Sequence, residues 1–139
     1  MKLTKYFFQF LLVMIFFLIF KILGLKSASY ISGKIISLIG PLFRSKKIIE
    51  SNILKALPKL ENNDMKNIIY KMWNNYGRIL SEYIFIKDFR NSKFKDNLQI
   101  EGQEILEKIK LNNNPVIFIS GHFNNFELMA MHIEKTGIN

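Results

Sequence analysis

The sequence predicts an α/β fold that is preceded by a membrane-spanning helix and a helical region. An apolar run opens the chain, the middle repeats apolar residues at helical spacing, and a short β-branched run follows near the end. These features divide the chain into a membrane anchor (residues 1–25), a helical membrane-proximal region (26–98) and the beginning of an α/β domain (99–139).

Composition excludes several classes of protein. The chain has 139 residues, of which 49% are hydrophobic, so it is too apolar for a disordered protein. It contains no cysteine, which excludes disulfide scaffolds, cysteine-based zinc sites and thiol catalysis.

The positive charge lies in the first part of the chain. The net charge is +9; residues 1–60 carry ten Lys or Arg and one acid, whereas residues 61–139 carry ten of each. Basic residues beside an apolar segment suit an anionic membrane surface. We therefore expect a membrane partner and no nucleic acid.

The N-terminal run is best interpreted as a membrane anchor. Residues 6–20 are apolar except for Gln9, and beyond Lys21 the run continues to Leu25. About 20 residues span a bilayer, so the run is long enough if Lys21 reaches the interface. A cleaved signal peptide, suggested by the small residues 27–29, and a buried core helix are the alternatives. More basic residues follow the run than precede it, which predicts a cytoplasmic location for the rest of the chain.

Two amphipathic helices are expected next. Apolar residues at 31, 35, 36 and 38 predict the first, which Gly40 and Pro41 interrupt, and the second covers Lys46 to Leu57. Their apolar faces suit either a bilayer surface or the rest of the domain.

The clearest helix lies between residues 60 and 86. Its apolar residues recur at three- and four-residue steps, and Asn63 or Asp64 is expected to cap its start. The stripe is interpreted as core: Ile68, Ile69, Met72, Trp73, Tyr76, Leu80, Tyr83 and Ile84.

The last part of the chain has the pattern that predicts a sheet. A short strand near residue 99, a turn at Gly102 and a helix from Gln103 to about Leu111 precede the run Pro115 to Ile119. That run is predicted to be a strand buried on both faces.

The stretch "SGHFNNFE" follows the predicted strand and carries the candidate chemistry. Residues five apart on one continuous helix point about 140° apart, so His122 and Glu127 converge only across a break, for which Gly121 is the expected bend. A histidine can take a proton from an attacking hydroxyl while a carboxylate holds its other ring nitrogen.

Ordinary structural roles for these residues remain open. Asn124 and Glu127 have the spacing of a capping box, and His122 would then be a loop histidine. We interpret His132 as structural. Two histidines and one glutamate are too few for a metal site, so neither a metal nor a cofactor is predicted.

The motif resembles the His-x4-Asp/Glu motif of membrane glycerolipid and lipid A acyltransferases. It is most similar to the lauroyl/myristoyl acyltransferases of lipid A biosynthesis, whose block reads like Gly-His-x-Gly-Asn-Trp-Glu. Gly121, His122, Asn125 and Glu127 match, while Asn124 replaces glycine and Phe126 replaces tryptophan. The lead-in "IEGQEILEKIKLNNNPVIFISGHF", the helical region and the anchor extend the resemblance over essentially the whole chain.

The resemblance implies an O-acyltransferase that moves a fatty acyl chain from acyl-carrier-protein to a hydroxyl of a lipid A precursor. His122 would be the general base, Glu127 its partner and Asn125 a substrate-binding residue. The implied location is the bacterial inner membrane, with the catalytic part on the cytoplasmic face.

Family members continue well past the motif, which implies an N-terminal fragment whose acyltransferase-type α/β domain is truncated; the resemblance leaves open whether this fragment is active alone. A non-catalytic, membrane-anchored helical protein that binds lipid or a partner is the alternative. A glycerol-phosphate-type acyltransferase is disfavoured, because that family usually has Asn-His and Asp where this chain has Gly-His and Glu.

Overall fold

The computed structural model of the protein describes residues 2–112 and 115–138. The chain packs into two compact units, Met1–Ile84 and Phe85–Asn139. The division into anchor, helical region and catalytic domain remains a prediction.

The first unit consists of helices. They are α1 (Lys2–Leu23), α2 (Leu25–Ile39), α3 (Lys46–Ala56) and α4 (Asn62–Glu82), with a 3-10 turn at Gly40–Leu42. The chain breaks at Gly40 and Pro41 as predicted, because proline lacks the amide hydrogen that an α-helix needs there. The second amphipathic helix also has nearly its predicted bounds.

Helix α1 is long and apolar enough to cross a membrane. Its 22 residues correspond to about 33 Å, close to the thickness of the hydrocarbon core. Of its described residues Phe20 alone is buried, so α1 is not the core helix of this unit. The membrane anchor and the signal sequence remain as interpretations of this helix.

The core of the first unit lies between α2 and α4 and is built from small residues. Ala28, Ser29, Ser32 and Gly33 are buried on one side, and Gly77 and Ser81 on the other. The Ser32 hydroxyl donates a hydrogen bond of 2.6 Å to the Gly77 carbonyl oxygen, and Ser29 donates one of 2.9 Å to Glu82. The two backbones therefore approach closely.

The predicted aromatic core of α4 is wrong in part. Tyr76 and Leu80 are exposed, because the face of α4 that meets α2 is the Gly77 and Ser81 face. Trp73 is half-buried and lies over Gly40. The expected cap is also wrong, because α4 begins one residue before Asn63 and has Glu61 at its N-cap without a side-chain hydrogen bond.

The described residues of the second unit form three α-helices. They are α5 (Ile86–Arg90), α6 (Gln103–Asn112) and α7 (Glu127–Lys135), with a 3-10 turn at Lys95–Asn97 between α5 and α6. Its small core includes three aromatic rings: Phe94 lies 5.3 Å from Phe89 and 6.0 Å from Phe85 between ring centroids. Helix α6 occupies the predicted position.

The predicted α/β sheet domain is wrong for the described part of the chain. The structure is 76% helical, and the described residues contain no strand. Neither the segment near residue 99 nor Pro115–Ile119 is paired, and Ile117 and Ile119 are 87% and 91% exposed rather than buried. A strand forms only when a neighbouring strand satisfies its backbone groups, and none of the described residues supplies one.

Candidate active site

The motif follows an extended segment of the second unit. Residues 115–123 have no regular secondary structure, and the Phe123 amide donates a hydrogen bond of 2.8 Å to the Gly121 carbonyl oxygen. This three-residue turn has His122 at its centre. The chain thus changes direction at the predicted histidine.

Gly121, where the sequence predicted the bend, begins this turn, and a second bend lies at Asn124. Asn124 has a φ of +47°, in the left-handed region, whereas Gly121 is not among the positive-φ glycines. Asparagine adopts this conformation more readily than most residues other than glycine. The replacement of the family glycine by Asn124 therefore fits the turn.

Glu127 is the first residue of α7. A capping box requires the glutamate at the third helical position, with the capping side chain three residues before it. Phe126 is the N-cap here and makes no side-chain capping hydrogen bond. The chain bends between His122 and Glu127, at Asn124, and both the catalytic and the capping interpretations of Glu127 remain.

The exposed His122 side chain stacks on Phe126. Their ring centroids are 4.0 Å apart and the ring planes are inclined by 36°. The motif alone did not predict this contact of Phe126; the available signal was an aromatic residue four positions after the histidine. The stacking restricts the imidazole ring to a smaller range of orientations.

Asn125 lies between the two candidate catalytic residues. Its side-chain oxygen and nitrogen are both shielded from solvent, and neither has a hydrogen-bond partner among the described residues. An unsatisfied buried polar group costs about 1–3 kcal/mol. Asn125 therefore carries two unsatisfied polar atoms, and its role in substrate binding stays a prediction.

Glu127 lines a shallow groove between α5 and α7. Lys87 and Arg90 of α5 lie along the same groove, and the Arg90 guanidinium donates a hydrogen bond of 2.6 Å to Glu134. No sequence pattern predicts that α5 places cations beside Glu127, because this proximity depends on helix packing. The groove is positively charged on one wall and negatively charged on the other.

His132 lies elsewhere on α7. Its Nε2 atom is 3.0 Å from the amide oxygen of Gln103 on α6, so this histidine joins two helices. It also lines a half-open cavity of about 500 Å³ whose wall includes Lys95, Lys110 and Lys135. The described residues contain no group of three or more potential metal ligands.

Comparison with known protein families gives a match over nearly the whole chain. The family model described as "Bacterial lipid A biosynthesis acyltransferase" matches residues 1–138. The chain belongs to this family. Neither a curated protein nor a solved structure gives a significant match.

Membership of the lipid A biosynthesis acyltransferase family confirms the resemblance seen in the motif and its lead-in. It supports a lipid A acyltransferase activity in general, with a lipid A precursor and an acyl donor as substrates. The family is bacterial and membrane-associated, and α1 is the one candidate apolar helix among the described residues.

Proposed function

We propose that the chain transfers a fatty acyl group from acyl-carrier-protein to a hydroxyl of a lipid A precursor. Family membership supports the acyl transfer and the lipid acceptor. The choice of acyl-carrier-protein as donor, and of ester formation at a hydroxyl, rests on the match of Gly121, His122, Asn125 and Glu127 to the acyltransferase block.

His122 acts as the general base. The acceptor oxygen attacks the thioester carbonyl carbon while one imidazole nitrogen takes the hydroxyl proton. The tetrahedral intermediate then collapses, its carbon–sulfur bond breaks, and the imidazolium returns the proton to the departing thiolate. Glu127 holds the other ring nitrogen and stabilises the imidazolium. The acceptor attacks directly, so no serine or cysteine nucleophile takes part.

The observation that carries this proposal is the position of His122. It is exposed at the tight turn Gly121–Phe123, which precedes α7 by a few residues, with its ring held against Phe126. The first amides of a helix point away from its body and favour negative charge. The start of α7 therefore supplies donors for the oxyanion, and Asn125 supplies an unsatisfied amide for substrate.

The basic N-terminal part of the chain suits both substrates. Acyl-carrier-protein is acidic and the lipid acceptor is anionic, so the basic excess of residues 1–60 attracts both. We place the protein in the bacterial inner membrane with α1 as its anchor and the site on the cytoplasmic face, as the basic residues after α1 favour.

The test measures acyl transfer from labelled acyl-carrier-protein to a lipid A precursor in membranes that contain the chain. We expect His122→Ala to lower the rate at least about 100-fold, because general-base catalysis contributes this much or more. Glu127→Gln should lower it less, because the base itself remains.

His132→Ala is the matched control, because it removes the second histidine of the chain at a position that contacts Gln103. It should keep most of the activity. Equal rates for wild type and His122→Ala would contradict the mechanism and favour the non-catalytic alternative. No transfer by wild-type chain that is present in the membrane would contradict the proposed activity for this chain.

A further inference from the structure

Helix α2 has two faces of opposite character. One face carries the buried alanine, serines and glycine that pack on α4. Ile31, Ile35 and Leu38 recur at steps of four and three residues on the other face, and all three are exposed. Leu42 and Phe43 continue this apolar surface beyond the end of the helix.

From Leu38 onward the outer apolar surface is largely uncovered by the described residues of its unit, whereas Ile31 and Ile35 are 36% and 37% exposed. Leu38, Leu42 and Phe43 are 77%, 84% and 78% exposed. Helix α4 cannot cover them, because it already occupies the small-residue face, where the Ser32 hydroxyl contacts the Gly77 carbonyl. Contiguous apolar surface of this kind marks an interaction site.

Helix α2 is joined directly to the candidate membrane span. Helix α1 ends at Leu23 and α2 begins at Leu25, with Gly24 between them at a φ of +79°. One residue cannot carry the chain far from the membrane surface, since consecutive Cα atoms are about 3.8 Å apart. A bilayer crossed by α1 therefore lies within reach of the start of α2.

The charges of this region indicate the chemistry of the surface that α2 meets. Residues 24–49 contain five basic residues and no acid: Lys26, Lys34, Arg44, Lys46 and Lys47. Lys34 donates a hydrogen bond of 3.1 Å to the Tyr70 hydroxyl, and this bond raises the pKa of Lys34 and lowers that of Tyr70. A second copy of this chain would bring like charges together, whereas an anionic lipid leaflet complements them.

We propose that α2 is an interfacial helix whose outer surface, from Ile31 to Phe43, lies at the boundary between headgroups and acyl chains of an anionic leaflet. Amphipathic helices with basic flanks and bulky apolar residues bind bilayers in this way. This placement goes beyond the acyl transfer proposed above and does not depend on it. The first unit is held on the leaflet by two elements: α1 crosses it and α2 lies in its surface.

Spin labelling tests this placement. The chain has no native cysteine, so each introduced cysteine is the only labelled position. The full chain is reconstituted in vesicles of phosphatidylethanolamine and phosphatidylglycerol with one label at a time. The labelled variants are Leu38→Cys, Leu42→Cys, Phe16→Cys within α1, and Lys71→Cys on the exposed part of α4. The accessibility of each label to oxygen and to a water-soluble nickel complex is then measured.

Labels at 38 and 42 should be accessible to oxygen and protected from nickel, at a depth of about 5–10 Å, and the label at 16 should lie deeper. The control at position 71 carries the same spin label at an exposed site on α4. It should be roughly ten-fold more accessible to nickel than the labels at 38 and 42. Circular dichroism confirms that each variant keeps its helix content. Exposed positions were chosen so that the substitutions leave the α2–α4 contact intact.

Nickel accessibility at 38 and 42 equal to that at 71 would overturn the placement. Protection from both oxygen and nickel would also overturn it, because it indicates a protein partner.

The charge argument is tested in vesicles of phosphatidylcholine alone, where nickel accessibility at 38 should rise at least about two-fold. An unchanged value there would overturn the requirement for an anionic leaflet. No readout involves acyl transfer, so failure of the catalytic proposal would leave this result interpretable.

Discussion

Gly77 in the first unit and Gly121 in the second lie in equally crowded positions but in different surroundings. A Cβ atom added at Gly77 would lie 2.3 Å from the Ser32 carbonyl oxygen and 2.8 Å from the Ile36 Cβ. One added at Gly121 would lie 2.4 Å from the ring of Phe123, which is 81% exposed. A backbone oxygen within a helix pair cannot move alone, whereas an exposed ring can rotate into solvent.

The two glycines show that the units are held together in different ways. The first unit depends on close approach of two backbones, with small side chains and a buried hydroxyl at the contact. The motif segment of the second unit is an exposed turn that is stabilised by a local backbone hydrogen bond and one ring contact. Substitutions should therefore affect stability strongly at the α2–α4 contact and weakly at the turn before α7.

The largest effect is expected for Gly77→Ala. Alanine favours a helix by about 0.5–1 kcal/mol over glycine, but the added methyl group forces α2 and α4 apart. We expect a net loss of roughly 2 kcal/mol in the free energy of unfolding. Trp73 is the only tryptophan and belongs to this unit, so its fluorescence can follow unfolding in detergent micelles. A midpoint equal to that of wild type would contradict the close-packing account.

A smaller effect is expected for Ser32→Ala. The substitution removes the hydrogen bond to the Gly77 carbonyl without changing the packing volume greatly, so it should cost about 1 kcal/mol. The same fluorescence measurement applies. Ser27→Ala, at an exposed position of the same helix, is the control and should leave the midpoint unchanged. A loss equal to that of Gly77→Ala would mean that the hydroxyl, not the backbone approach, dominates the contact.

The smallest effect on stability is expected for Gly121→Ala. The new methyl group displaces only the exposed Phe123 ring, so the change should be below about 0.5 kcal/mol. Thermal unfolding followed by far-ultraviolet circular dichroism measures it. A loss as large as that at Gly77 would show that the turn before α7 is rigid, and the contrast between the two units would disappear.

Helix positions followed closely from sequence. The break after Ile39, the start of α3 at Lys46 and the start of α6 at Gln103 were all predicted, because each depends on neighbouring residues. The start of α4 was missed by two or three residues, since its N-cap is Glu61 rather than Asn63 or Asp64 and no side chain caps it. Helix ends are set by weak local bonds and are therefore harder to locate.

The site was predicted in part. The sequence indicated His122, Asn125 and Glu127 and required a break between the first and last of them. It did not indicate the stack of His122 on Phe126 or the position of the bend at Asn124. The roles of these residues remain predictions. Side-chain contacts across a turn depend on backbone angles that spacing alone does not fix.

The sequence by itself determined most of the helices but not α5, together with the apolar anchor candidate, the family and the motif, because helical hydrogen bonds join residues four apart and a motif is a local pattern. Tertiary structure decided which face of α2 meets α4, and it left Ile117 and Ile119 exposed where a buried strand was predicted. Both outcomes depend on residues distant in the chain: a helix face is covered only if another element reaches it, and a strand forms only beside another strand.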